Sequence, residues 1–467
     1  MKKNLFLALT FIAMSFAACE NDENDNGTDV SVAFSEPSLN LEVDETPIQI
    51  QFSAPASTAG TITLGYNDTA VTYGVDYTTN PSAIENKIIV PFNQGATMVE
   101  FKFNKIINAI EGEVKNVVFT IENVSTTATI SGNKTTQVNF NETASLGTAL
   151  AAEVGGPSQP NQVYVDLSSG KMTKVTRVSW DLGFYSGSEF RVAINSSVKM
   201  AAKKLETTNI DEVQQEDASM IIAQGQGIAT QVDGPTGNIL ETAIAEVDSN
   251  DANNKVYLIN MGSNPAKTTP SVGSEGSGSG TSKKKKKIRI LKSGDDYKIE
   301  YADIASTTHQ EVIVSKNSAY NFTFFSFTTN KTVDVEPVKA QWDLNFSTFT
   351  NILGGTTPYF YPDYIVNNVK GGALTYQVLT SEFTYDNFTL ANIDNAKFTE
   401  DQRNIGSNWR STSATVDGIP VSQFVLKTDR FYVVKDAAGN VYKLKFTGGA
   451  NEAGERGFPK FQYSLLK

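Results

Sequence analysis

The chain has 467 residues, 40% hydrophobic and 10% aromatic, enough for two or three folded cores and against general disorder. Its 51 acidic residues outnumber 39 basic ones, for a net charge of −12. Phosphate binding needs a clustered positive field, so no nucleic-acid partner is expected.

The first segment, "MKKNLFLALTFIAMSFAAC", sets two lysines before an apolar run from Leu5 to Ala18. This is the pattern of a secretory signal, too short to anchor stably across a bilayer. Its ending, "FAAC", resembles a bacterial lipobox. That resemblance implies removal of residues 1–18 and lipidation of Cys19, so that acyl chains hold the protein on a membrane. Cys19 is the single cysteine, which excludes an internal disulfide. Residues 19–30 follow as a tether, acidic and free of large apolar residues over "ENDENDNG". The tether resembles the export tag that sends lipoproteins of Bacteroidota to the outer face of the outer membrane, and it implies a cell-surface location.

Residues 31–142 read as strands throughout. "PIQIQFS", "KIIVPF", "MVEFKFN" and "NVVFTIENV" are short runs rich in Val, Ile and Phe, and Pro, Gly, Asn and Asp punctuate them. About seven strands at this spacing predict a β-sandwich of immunoglobulin-like type. The stretch from "TYGVDYTTNPS" to "VVFTIENVS" resembles a Calx-β-type domain, a family whose loop carboxylates hold calcium. Here those loops offer only Glu111 and Glu113, with Asn108 alongside and Asp76 further back. Calcium takes 6–8 oxygens, so no metal is expected and the domain reads as a spacer. "DTA" at 68–70 resembles an O-glycosylation acceptor of Bacteroidota.

Two of the three tryptophans open nearly the same pentapeptide, "WDLGF" at 180–184 and "WDLNF" at 342–346. Each follows two alternating strands separated by a Gly or Asn turn and a lysine, "VYVDLSSGKMTKV" and "TFFSFTTNKTVDV". Downstream, Asn195 matches Asn367, "KVYLIN" matches "RFYVVKD", and "KIRILKSGDDYKIEYADI" matches "VYKLKFTGGA" with "FPKFQYSLL". Landmarks in one order mean duplication: a first β-rich unit at 145–320 and a second at 321–467. Alternation along the motif predicts Trp, Leu and Phe on one core face of a strand, with Asp181 and Asp343 turned away to bond backbone amides. The stretch 271–287, "SVGSEGSGSGTSKKKKK", reads as a long hairpin loop with a solvated charge run, or as a basic patch for an acidic partner.

With these landmarks assembled, residues 145–467 resemble the HmuY family of surface lipoproteins of Bacteroidota. The resemblance rests on "WDLNF", "RNIGSNWR" at 403–410 and "DRFYVVKDAAGNVYKLKF" at 429–446, with "WDLGF" and "RVAIN" in the first unit. It implies an all-β protein that captures haem, clamps the iron between two axial side chains and passes it to a TonB-dependent outer-membrane receptor. The sequence departs from that pattern because His309 is its only histidine, so a bis-histidine clamp is excluded. Toward haem, the remaining candidates are His309 itself, Met200 and Met261 as soft thioether ligands, and Tyr185 with Arg191 nearby as a tyrosinate–arginine pair. "TPYFYPDYIVNN" at 357–368 adds Tyr359, Phe360, Tyr361 and Tyr364, read as a loop whose rigid aromatics stack on a porphyrin or a sugar ring. No Ser/His/Asp arrangement, histidine metal cluster or phosphate-cradling glycine loop points to an enzyme. Two binding functions remain: haem or porphyrin capture, and glycan binding beside a TonB-dependent transporter.

Overall fold

A computed structural model describes residues 30–466 apart from 42, 108, 111–113, 141, 145, 223–225 and 271–279. The signal segment, Cys19, the tether before residue 30, Asn108, Glu111, Glu113 and the Gly/Ser part of the 271–287 stretch lie outside the described residues. The chain is all-β, its helical elements being single 3-10 turns among the described residues. It forms two compact units. One runs up to Lys105 and includes Lys115–Asn139; the other combines Ile106–Val114 with Phe140–Lys467.

The N-terminal unit contains two five-stranded sheets. Alternation makes them: in Glu45–Phe52 the inward residues Ile48, Ile50 and Phe52 are buried and alternate with exposed ones, and Val117, Phe119 and Ile121 are buried and alternate with half-buried ones in Asn116–Val124. Tyr77 and Phe103 stack in this core with centroids 4.8 Å apart. Two acids singled out by sequence serve the fold. Asp68 accepts the Tyr77 hydroxyl at 2.5 Å, and Asp76 accepts the Thr72 amide at 2.6 Å.

In the second unit the two repeats exchange strands. Asn161–Val165 and Met172–Thr176 form the hairpin that precedes Trp180, yet Asn161–Val165 pairs with Leu344–Leu353, the strand that follows Trp342. The hairpin preceding Trp342, Phe322–Ser326 with Lys331–Val333, pairs in turn with Leu182–Tyr185, the strand that follows Trp180. The two five-stranded sheets show the same exchange. Ala201–Lys204, Tyr257–Asn260, Lys286–Ser293 and Asp296–Asp303 are completed by Gln310–Val314. Leu374–Leu379, Arg430–Lys435, Val441–Ala450 and Arg456–Leu465 are completed by Ala149–Ala151. Gln310–Val314 thus holds in one sheet the edge place that Ala149–Ala151 holds in the other.

The cores are mixed accordingly. Leu182, Phe184, Ile259 and Ile299 pack with Val314, Phe325 and Phe327, while Leu344, Phe346, Tyr432 and Phe461 pack with Val163, Val165 and Leu167. Neither repeat encloses a core without the other's hairpin.

Three expectations are corrected here. Trp180 and Trp342 do not share a face with the Leu and Phe of their pentapeptides. The strands begin at Leu182 and Leu344, and the tryptophans pack instead with Tyr164, Phe322 and Phe324 in a separate aromatic cluster. Asn195 is equivalent to Asn368, not Asn367. Asn195 Nδ2 donates to the carbonyls of Arg177 (2.8 Å) and Trp180 (2.9 Å), and Asn368 Nδ2 donates to those of Lys339 (2.8 Å) and Trp342 (2.9 Å). The lysine run is not a solvated patch. Lys283 pairs with the buried Asp181, Lys285 with Glu216 and Lys286 with Asp303, while Lys287 is fully buried and donates to the carbonyls of Val213 (2.7 Å) and Ser306 (2.5 Å).

Candidate functional site between the repeats

Trp180 and Trp342 line one cleft in the second unit, with about 160 Å³ of interior space. The exchanged pairing makes its walls equivalent: Tyr164 corresponds to Phe324, Gly183 to Asn345 and Ala193 to Val366, and all six line it. Each tryptophan meets a ring from the other repeat or its hairpin edge-on. Trp342 lies 5.0 Å from Tyr164 at 80°, and Trp180 lies 4.7 Å from Phe324 at 74°.

Four side-chain atoms of lining residues are closed off from the cleft and have no hydrogen-bond partner among the described residues: Trp180 Nε1, Trp342 Nε1, Asn345 Oδ1 and Ser347 Oγ. An unmet buried polar group costs roughly 1–3 kcal/mol, and folded proteins leave few of them.

Three ionisable groups complete the lining. The Asp233 carboxylate accepts the amides of Ile194 (2.8 Å) and Ala243 (2.8 Å), and Glu336 accepts that of Phe322 at 2.8 Å. Lys370 Nζ donates to the Gly237 carbonyl at 2.6 Å and stands 5.6 Å from the centre of the Phe322 ring. Asp233 and Lys370 keep some accessible surface although protein surrounds them, and Glu336 is buried. Burial pushes Asp233 and Glu336 up to about 7, against the pull of the amides they accept and of Lys370. Burial likewise pushes Lys370 down to about 8, resisted by Glu336 and Asp233. Burial thus favours the neutral form of each of the three groups.

The residues proposed from sequence are mostly elsewhere. Met200 and Met261 are 0% and 2% exposed in the core around Leu182 and Phe184, so their thioethers are packing groups rather than loop-edge ligands. Tyr185 lies opposite Arg191 across the strand pair, but the two side chains diverge. Tyr185 packs on Phe322 at 5.7 Å, while Arg191 turns to Glu246 at 3.5 Å. Burial, then Glu189, raises the Tyr185 phenol, the wrong direction for a tyrosinate.

His309 Nδ1 sits 3.0 Å from Asp211, and Nε2 lies 3.6 Å from Glu311. Burial lowers its pKa, but the Asp211 hydrogen bond and the surrounding carboxylates outweigh this and raise it, favouring the charged ring over a ligand. Glu300, His309 and Glu311 cluster closely enough to hold a cation, but Lys298 already donates its ammonium to both glutamates, at 3.1 and 3.0 Å.

The segment read as an aromatic loop is the strand Thr357–Asn367. Phe360 is fully buried, and Tyr364 is buried, stacked on Phe349 at 4.7 Å and lining the cleft. Tyr359 and Tyr361 stay half-buried, 4.7 Å apart. Sequence reasoning missed Trp180, Trp342, Asp233, Glu336 and Lys370 as cleft residues. The duplicated tryptophans were a usable signal; the three isolated charges gave none.

The family model for HmuY protein matches the chain twice, over residues 158–315 and 318–463, which together span more than half of it. The chain belongs to the HmuY family. No curated protein matches the chain. Among solved structures, a putative HmuY-like heme-binding protein from Bacteroides vulgatus is 9% identical, covering 68% of this chain and 91% of that one, with a TM-score of 0.18. A two-domain protein of unknown function from Bacteroides fragilis is also 9% identical, over 72% and 93%, with a TM-score of 0.20. The apo form of a Calx CBD1 domain is 14% identical over 24% of this chain and 94% of its own, with a TM-score of 0.20.

Proposed function

We propose that this HmuY-family protein is a surface-held capture protein, not an enzyme, whose ligand is haem or a related porphyrin. It is anchored through Cys19 at the outer membrane and hands its ligand to a TonB-dependent receptor. The observation that carries the reading is the HmuY match over both repeats. Among the described residues no helix is long and apolar enough to cross a membrane, which agrees with a lipid anchor.

The site chemistry shapes the mode of capture. Met200 and Met261 are in the core and His309 is paired with acids, so a methionine or histidine clamp on iron is unsupported. The tetrapyrrole is held instead by its face and edge, and the half-buried Tyr359 and Tyr361 are the aromatic pair for it. The test is a titration of residues 20–467 with haemin and, separately, with iron-free protoporphyrin. Saturable binding of both at similar affinity, weakened by Tyr359→Ala and Tyr361→Ala, supports the reading. Spectra identical to those of the free pigments at every ratio would remove it.

A further inference from the structure

His309 is the single histidine of the chain, and it stands beside two glutamates at a sheet edge. Glu300 and Glu311 face each other directly across the strand pair Asp296–Asp303 and Gln310–Val314, with His309 just before the second strand. Like charges directly opposite in a sheet repel, so this register calls for a cation between them. One ring nitrogen of His309 and one carboxylate oxygen from each glutamate lie within 4.8 Å of one another, close enough to serve one ion.

Three features separate this group from an ordinary ion pair. The first is the orientation of the ring. Asp211, from the distant turn Ile210–Glu212, holds His309 Nδ1 at 3.0 and 3.1 Å, which turns Nε2 toward the glutamates. Nε2 is 3.6 Å from Glu311 Oε1, beyond hydrogen-bond reach. A carboxylate behind the imidazole is the usual support of a metal-bound histidine. The second feature is access. The side chains of His309 and Glu311 are 24% and 51% exposed, so an ion reaches them from solvent.

The third is the occupant. The Lys298 ammonium sits 3.1 Å from Glu300 Oε1 and 3.0 Å from Glu311 Oε1, in the place a metal ion would take. Lys298 lies two residues before Glu300 on the same strand face, and its flexible stem is 26% exposed. Ion pairs this open to solvent stabilise little, so the lysine turns out to water at small cost. Arg289 addresses the other oxygen, Glu300 Oε2, from 3.6 Å and leaves Oε1 to the ion.

Ligand chemistry sets the class of ion. One imidazole and two carboxylates, open to water on one side, suit a divalent first-row ion such as zinc. Calcium and magnesium take oxygen ligands and gain nothing from the imidazole. We propose that His309, Glu300 and Glu311 bind one zinc-class divalent ion, with Lys298 displaced and Asp211 orienting the ring. Where the ring is charged, it gives its Nε2 proton to water as the ion enters. The ion then ties the edge strand Gln310–Val314 to its neighbour. The site shares no residue with the porphyrin surface and does not depend on porphyrin capture.

The test uses residues 20–467, free of any histidine tag, stripped with chelator and carrying isotope-labelled histidine. His309 is then the only imidazole and no thiol remains, so the ring resonances report this one site. The expected result is a shift of those resonances that saturates at one equivalent of zinc, with the same stoichiometry by calorimetry. Magnesium and calcium in excess should leave the ring unmoved. In variants with the parent far-ultraviolet spectrum, Asp211→Asn should weaken zinc binding about 10-fold, and Glu311→Gln at least as much. Lys298→Met should tighten it, because the competing ammonium is gone.

Ring resonances that zinc leaves unmoved overturn the proposal, as does an equal shift with magnesium or calcium. Zinc affinity unchanged in both Glu311→Gln and Lys298→Met also overturns it, since the ion would then sit on His309 without the glutamates.

Discussion

Asp343 Oδ2 accepts the backbone amide of Leu167 at 2.8 Å, and Asp181 Oδ2 accepts that of Phe327 at 2.8 Å, so each motif aspartate holds the turn end of the other repeat's hairpin. The two differ in setting. Asp181 is also paired with Lys283, whereas burial, with Asp436 and Asp166 nearby, pushes the Asp343 carboxyl well above its usual range. Asp343→Asn keeps an acceptor oxygen without the buried charge and should leave stability at neutral pH almost unchanged. Asp343→Ala strands the Leu167 amide and should cost about 1–3 kcal/mol in urea unfolding. Equal stability of the two variants would show that the clamp does not hold the hairpin.

Strand exchange makes the repeats inseparable but not covalently dependent on their connection. A protease site placed at Ser306–Thr308, between Asp296–Asp303 and Gln310–Val314, should give two fragments that co-elute in size exclusion with native circular dichroism. In each fragment expressed alone the repeat should be unfolded, though the N-terminal unit stays folded, because the repeat's core lacks the partner's hairpin: Val163, Val165 and Leu167 on one side, Phe325 and Phe327 on the other. A folded, monomeric single repeat would contradict the exchanged topology.

Local features were legible in sequence and long-range ones were not. The duplicated WDL motif was visible, and alternation in Glu45–Phe52 and Asn116–Val124 gave the strands of the N-terminal sandwich. Exchange is invisible because Asn161–Val165 has the same pattern whether it pairs within its own repeat or with Leu344–Leu353. The lysine run misled because composition reports charge and not partners: Lys287 is buried among carbonyls from Val213 and Ser306, remote in sequence. Met200 and Met261 misled for the reverse reason, since their polar surroundings in sequence gave no sign that both side chains turn into one core. Asp233, Glu336 and Lys370 are brought together only by the tertiary fold.

Glu336 gives the molecule a pH signature. Folded, it keeps its proton up to about pH 7; unfolded, it releases it near 4.5. The folded state therefore binds more protons in that window, and this group's contribution to stability is lost as pH rises from about 4.5 to about 7. Asp233 acts in the same sense from 3.8 upward, and Lys370, lowered from 10.5 to about 8, returns stability as pH rises above 8. Glu336→Gln retains an oxygen for the Phe322 amide and cannot ionise. Relative to the parent protein, the variant should gain stability steadily between pH 5 and pH 7, read by thermal unfolding. A pH-independent difference between the two would mean that Glu336 titrates normally in the fold.

Porphyrin capture without an axial methionine separates two effects usually lost together. Met200 is completely buried among Leu182, Val198 and Ile259, so Met200→Ala removes core volume and should cost roughly 2–5 kcal/mol of stability. The folded variant should still give the parent haemin spectrum if, as proposed, no sulfur meets the iron. His309→Ala deletes a ring held by Asp211 and should leave the spectrum equally unchanged, with stability altered by less than about 1 kcal/mol as for a surface ion pair. Absorbance of both variants in the ferric and ferrous states checks this directly. A shifted Soret band in Met200→Ala would require that the core around Leu182 open to admit the iron. A shift in His309→Ala would move the haem site to the Asp211 edge, away from Tyr359 and Tyr361.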